Sequence, residues 1–369
     1  MKSKAGLYLH IPFCASKCRY CDFYSYPPSA DELDAYTDAL CRTMADWGRE
    51  AKDTPFDTIY LGGGTPSLMG AGRLSRILTT AQDCFALAPD TEITVECNPD
   101  SMTDELLEGL QRAGANRLSV GIQSAHDDEL RMLGRRHTFA EAEDAVRRAQ
   151  AHGFDNLSLD LMYGLPGQTA EKFLQSVAAL LALDPPHLSC YGLKLEPNTP
   201  MGRENPALPE DDAQADLYLA LCGKLREAGF VHYEISNWAK PGRRSRHNSK
   251  YWDLTPYLGL GPGAHSLWRG KRFAYSRSTA DFLAGKPPVN EEETPGFPVW
   301  AEYLMLALRT SDGVDGAAFT ARFEMDFAPF AKRLVQLRPS GLVQETERGW
   351  HLTEEGFLVS NAVINYVTQ

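Results

Sequence analysis

The 369-residue sequence predicts an α/β protein. Six βα units form a parallel sheet that curls into a partial (β/α)6 TIM-like barrel, open on one side, and a mostly helical, winged-helix-like domain follows. Three observations carry this prediction. Short apolar runs alternate with stretches of helical period, and strands alternating with helices imply right-handed βαβ units and a parallel sheet. The alternation holds for six units, fewer than the eight of a closed barrel. From Val299 the texture changes to helix after helix and then a hairpin.

In order, strands are expected at 7–12, 58–61, 92–97, 117–122, 156–162 and 187–193. The first is an alternating apolar run that ends at Pro12. Helical patterns fall at 30–49, 72–85, 103–113, 139–152, 169–183 and 210–228. The stretch 229–290 is irregular and rich in aromatics. After it come three helices, a hairpin around 342–352 and a last helix over 353–366, the outline of a winged-helix module. The expected domains are therefore 1–228, 229–298 and 299–369. No internal repeat or low-complexity tract interrupts them.

Composition narrows the function. Hydrophobic content of 43% and charged content of 23% describe an ordinary globular chain. Lys plus Arg number 37 against 49 Asp plus Glu, a net charge of -12, which argues against a nucleic-acid partner because phosphate contacts need a basic face. No apolar run reaches membrane-spanning length, so no membrane span is expected. The N-terminus leads directly into a strand, so no signal peptide is expected either. Eight cysteines without a regular framework fit a reducing cytoplasm, the expected location.

Three of those cysteines stand together on the loop after the first strand: Cys14, Cys18 and Cys21, spaced Cys-x3-Cys-x2-Cys. Such a loop can wrap three thiolates around a [4Fe-4S] cluster, leaving one iron without a protein ligand and open to a small molecule. Zinc or ordinary thiols are the competing readings. Zinc sites usually pair two Cys-x2-Cys hooks, and no second hook exists among Cys41, Cys84, Cys97, Cys190 and Cys222. Cys97 reads as a buried thiol. Tyr20, just before the third cysteine, offers a flat face to an adenine.

Ligands of parallel α/β sheets bind at the carboxyl ends of the strands. The second strand ends in Gly62-Gly63-Gly64-Thr65, where missing side chains let backbone approach a ligand closely. Glu96, Gln123 and Asp160 end the third, fourth and fifth strands and face the same mouth. Arg135 is placed to meet a carboxylate in bidentate fashion. Each alone also fits a capping or solvated role. Together they suit a zwitterion carrying a ribose.

The cysteine loop resembles that of the radical S-adenosylmethionine (SAM) proteins, in which the open iron chelates SAM and passes it an electron. Over nearly the whole chain, Tyr8, the three cysteines, Gly63-Gly64-Thr65, Glu96, Gln123, Arg135 and Asp160 match motifs of the oxygen-independent coproporphyrinogen III dehydrogenase group. The resemblance implies a radical SAM barrel in which these positions contact SAM. Two features depart from the dehydrogenases. Phe23 stands where they carry a further cysteine, and only six residues precede the first strand where they have a long extension.

The string His247-Asn248-Ser-Lys-Tyr251-Trp252 is similar to that of the heme-chaperone branch of the group. It implies heme as a further cofactor, with His247 as axial ligand and Tyr251 and Trp252 lining the ring. His10 and His265 are alternative ligands. Lys240, Arg243, Arg244 and Arg246 precede the motif, and Arg243 and Arg244 are candidate clamps for the two propionates. A solvated basic loop, or one that meets an acidic partner, is the plainer alternative. The implied partners are heme and a heme-accepting protein, with membrane-associated respiratory enzymes among the candidates and a homodimer as a candidate assembly. Two enzymatic readings stay open beside the chaperone: oxidative decarboxylation of a porphyrinogen propionate, and methyl transfer to another substrate.

Overall fold

The computed structural model describes residues 4–290 and 298–369. By its packing the chain forms two units, Met1–Pro209 with Thr255–Glu292, and Glu210–Leu254 with Glu293–Gln369.

The first unit is built on β1 (Ala5–Ile11), β2 (Pro55–Gly63), β3 (Ala86–Cys97), β4 (Arg117–Gln123), β5 (Leu157–Tyr163) and β6 (His187–Gly192). They pair in parallel in that order, with Tyr8 opposite Tyr60 and Val95 opposite Leu118. Both faces are covered, so the strands read as near-continuous apolar runs; every residue of β4 is buried. Helices Ala30–Glu50, Gly70–Cys84, Asp104–Arg112, Phe139–Ala151 and Ala170–Leu181 form the crossovers. Hydroxyl caps set most of the helix starts. Ser29, Thr103, Thr138 and Thr169 each accept a hydrogen bond from the backbone N–H three residues on, and Thr138 with Glu141 makes a reciprocal capping box.

The sheet stays open, as the six-unit count requires. The outer edge of β1 is occupied by Tyr257–Leu260, running parallel to it with Gly259 opposite Tyr8. His265–Trp268, Lys271–Ala274 and Val289–Asn290 continue antiparallel from there.

The second unit gathers helix Asp211–Glu227, the hairpin Val231–Glu234/Asn237–Ala239, and helix Arg246–Trp252. Helices Val299–Ala307, Gly316–Phe323 and Ala328–Leu337 follow, then the wing Val343–Thr346/Gly349–Leu352 and helices Glu354–Leu358 and Ser360–Thr368. Wholly buried Phe319 centres an aromatic core with Phe323, Phe327 and Phe330.

Several expectations need correction. The division at 228 and 298 is not the one the packing draws. Residues 210–254 belong with the C-terminal helices, whereas the stretch from Thr255 to Asn290 extends the barrel sheet. Irregular texture says that a stretch is not one long element, but not which core it joins. Helix Asp127–Leu133 had no counterpart in the sequence reading, and the expected last helix is two, meeting at Val359. Among the described residues, no helix is long and apolar enough to cross a membrane.

Candidate functional site

The carboxyl ends of the barrel strands surround one cavity of about 610 Å³, lined by first-unit residues. That size suits a small-molecule or cofactor site.

One wall is the cysteine loop. Its ends are pinned to each other, Cys14 N donating to Tyr26 O at 3.1 Å and Tyr26 N to Pro12 O at 3.1 Å. Arg19 N reaches Leu133 O at 3.0 Å and holds the loop's middle. Cys14, Cys18 and Cys21 all line the cavity. Cys14 Sγ lies 3.3 Å from Thr65 Oγ1, and Cys18 Sγ accepts from Arg135 Nη1 at 3.6 Å. Burial pushes the Cys21 thiol up. Cys97 also lines the cavity, but its thiol donates to Val95 O at 3.7 Å and burial raises its pKa to about 12. It is a packed thiol, not a ligand.

The glycine turn after β2 lies against this loop. Gly64 N donates to Ile11 O and Thr65 N to Phe13 O, both at 2.7 Å. Gly63 has φ +109, and a Cβ there would sit 2.5 Å from His10 Cε1; a Cβ on Gly64 would sit 2.5 Å from Phe13 O. No side chain fits at either place.

Polar groups at the strand ends form the floor. Glu96 accepts from Tyr60 Oη at 2.8 Å and from Gly63 N at 3.1 Å. Burial raises its carboxyl to about 7 against the pull of the Tyr60 bond. Asp160 is raised to about 6, again by burial, with Ser189, Arg117 and Ser119 opposing; Ser119 Oγ is 3.3 Å from its Oδ1. Two carboxyls held near neutrality in one cavity are poised to receive a cation. Gln123 ends β4 with φ +74, which turns the chain out at the cavity edge. Arg135 Nη2 donates to Asn98 Oδ1 at 2.9 Å and to Gly121 O. Its guanidinium thus joins the floor to Cys18. Tyr20 packs on the cluster of Leu133, Met162, Leu165, Leu193 and Met201.

Of the residues expected to surround SAM, Tyr20, Gly63, Gly64, Thr65, Glu96, Gln123, Arg135 and Asp160 line the cavity and Tyr8 does not. Tyr8 lies on β1 with its hydroxyl 2.9 Å from His10 Nδ1 and its ring 6.2 Å from that of Tyr60. It supports the residue that holds Glu96 instead of facing the ligand space.

The mouth contains residues the sequence reading did not assemble. Phe23 is 67% and Tyr191 42% exposed, an unusual state for large apolar rings, and Leu193 lies beside them. Lys17, Lys194 and Arg277 stand around the same opening. Tyr191 and Lys194 flank the end of β6, so the strand-end rule could have found them. Arg277 had no sequence signal, because it comes from the far edge of the sheet.

The motif around His247 sits in the second unit. Ser245 caps helix Arg246–Trp252, accepting from Asn248 N at 3.3 Å. His247 is fully buried, its Nε2 2.9 Å from Tyr251 Oη and the two rings edge to face. Arg244 pairs with Asp312 at 2.6 Å and lies over the Tyr233 ring. Arg243 and Trp252 are half-buried. His247 and Tyr251 thus pair within one helix, and Arg244 ties the turn before it to Asp312 and Tyr233.

Three thiols on one wall, a side-chain-free turn beside them and two neutral-poised carboxyls beyond fit a [4Fe-4S] cluster with SAM against it. Comparison with known proteins agrees. The radical SAM superfamily model matches residues 8–180, and the HemN C-terminal domain model matches 299–359. The heme chaperone HemW of Lactococcus lactis is 35% identical over 364 residues, covering 96% of this chain and 95% of that protein. HemW of Escherichia coli is 34% identical over 365 residues, 97% of each. The structure of coproporphyrinogen III oxidase (HemN) from Escherichia coli, a radical SAM enzyme, matches with a TM-score of 0.86 at 22% identity, over 100% of this chain and 90% of that one. This last likeness is one of fold. The chain belongs to the HemW family of the radical SAM superfamily.

Proposed function

We propose that this protein is a cytoplasmic heme chaperone that carries heme beside a [4Fe-4S] cluster and SAM and hands the heme to an acceptor protein. The observation that carries the reading is the cavity mouth. Phe23 and Tyr191 are exposed rings beside Leu193, and Lys17, Lys194 and Arg277 surround the opening in a chain of net charge -12. Exposed rings with cations nearby suit a planar macrocycle bearing two carboxylates; Lys194 would leave its 2.7 Å pair with Glu196 to meet one, and Asp22 also lines the cavity. The names of the relatives support the same substrate class.

Cys14, Cys18 and Cys21 would hold the cluster, and Gly63, Gly64, Thr65, Glu96, Gln123, Arg135 and Asp160 would surround SAM. When bound, the cluster supplies an open iron that chelates the amino and carboxylate groups of SAM and can pass it an electron. The carboxylates of Glu96 and Asp160 would accept hydrogen bonds from SAM's amino N–H groups and ribose hydroxyls. Arg135 would hold Cys18 and the floor in one geometry. Phe23 covers with an apolar ring the place where the dehydrogenases carry a further cysteine. That favours heme carriage over decarboxylation.

The test is an anaerobic incubation of cluster-loaded protein with SAM, a reductant and coproporphyrinogen III. Chromatography should recover the substrate unchanged. Protoporphyrinogen IX in excess of one turnover per chain would replace the chaperone reading with the dehydrogenase one.

A further inference from the structure

Outside the barrel, three ligand-type side chains converge inside the second unit. Cys222 comes from helix Asp211–Glu227, His232 from the hairpin strand Val231–Glu234, and Glu354 from the first turn of helix Glu354–Leu358. Their ligand atoms all lie within 4.8 Å of one another. The cysteine is buried and the other two are half-buried, so the group opens to solvent on one side.

His232 Nε2 lies 3.3 Å from Tyr218 Oη, and Nδ1 lies 4.0 Å from Cys222 Sγ. The ring cannot swing away. It stacks on Trp238 with centroids 4.2 Å apart and planes 11° from parallel, and Phe357 closes its edge. An imidazole whose second nitrogen is tied to a phenol while the first aims at a thiol and a carboxylate is the arrangement that orients a metal-binding histidine.

We propose that Cys222, His232 and Glu354 form a site for one divalent zinc ion, with water as fourth ligand. Thiolate, neutral imidazole and carboxylate are the donor types zinc takes, and magnesium or calcium would select against the sulfur. Glu354 at present pairs with Arg226, which would give up one carboxylate oxygen. The ion would join the segment 210–254 to the C-terminal segment, cross-linking two stretches of chain that form the unit together.

The test uses the full, cluster-loaded chain, dialysed anaerobically against micromolar zinc. Elemental analysis should find about one zinc per chain besides the iron, and absorption at the zinc edge should show a single sulfur neighbour. Cys222→Ser and His232→Gln should each lose most of that zinc, and Cys41→Ser should keep it. The wild-type result stands even if a variant folds poorly. Zinc that is absent, that shows three sulfur neighbours as the barrel loop would give, or that survives Cys222→Ser overturns the site.

Discussion

Glu96 and Asp160 set the pH behaviour of the cavity. Both carboxyls are raised by burial, to about 7 and about 6. In the unfolded chain they ionise nearer pH 4, so the folded, SAM-free protein holds more protons between about pH 4 and 7. Their contribution to stability is therefore greatest at low pH and declines as pH rises through that window. In denaturant titrations of cluster-loaded, SAM-free protein, Glu96→Gln should gain on wild type between pH 5.5 and 7.5. A wild-type-to-variant gap that stays constant with pH would contradict this. SAM binding has the opposite sign, because a sulfonium cation and amino and hydroxyl donors prefer the ionised floor. Calorimetry should show wild-type affinity weakening as pH falls below about 7. Glu96→Gln should flatten that dependence at a cost of about 1–3 kcal/mol, roughly a five- to 150-fold loss of affinity at pH 8. The three cysteines, Glu96, Gln123, Arg135 and Asp160 were legible because spacing and strand ends are visible in a linear string. Tyr8 and His247 show what a linear motif leaves unsaid. A recurring motif marks residues as structured or used without saying which way a side chain points, and both rings face their own neighbours.

At the scale of elements, the glycine turn after β2 separates two kinds of glycine. Gly63 needs φ +109 and has His10 against it, so Gly63→Ala should cost about 1–3 kcal/mol and weaken SAM binding with it. Gly72 lies within helix Gly70–Cys84 with open space around it, so Gly72→Ala should stabilise by about 0.5–1 kcal/mol. Thermal melts of both variants check the pair, and equal shifts would mean that the turn is not strained. The six strands and their crossover helices were legible because period 2 and period 3.6 alternate cleanly. What escaped has identifiable causes. Helix Asp127–Leu133 is two turns long, too short for its period to register. The strand Tyr257–Leu260 runs into Gly-Pro-Gly and reads as a loop, yet Gly259 is in the strand because the backbone of His265 comes too close for a side chain. β3 starts at Ala86, earlier than expected, because Pro89-Asp90 reads as a turn; pairing with β2 skips from Leu87 to Glu92 and lets that stretch bulge.

For the whole molecule, the proposed function has cluster, SAM and heme on the barrel unit and requires no iron ligand from the His247 helix. Replacing Cys18 by Ala should remove most of about four irons per chain, while Cys41→Ala should keep them; full iron in the Cys18 variant would sink the cluster assignment. The most direct measurement of the central claim is a Soret-band titration of cluster-loaded protein with heme under anaerobic conditions. Wild type should saturate at about one heme per chain. Phe23→Ser with Tyr191→Ser should weaken binding at least tenfold. Lys194→Glu with Arg277→Glu should weaken it most at low ionic strength, where local charge is least screened. His247→Ala should leave the affinity and the band position unchanged if the fold is kept. A wild-type protein that takes up no heme would contradict the chaperone reading itself. Heme uptake that ignores the mouth variants and is lost with His247 would move the heme to the second unit.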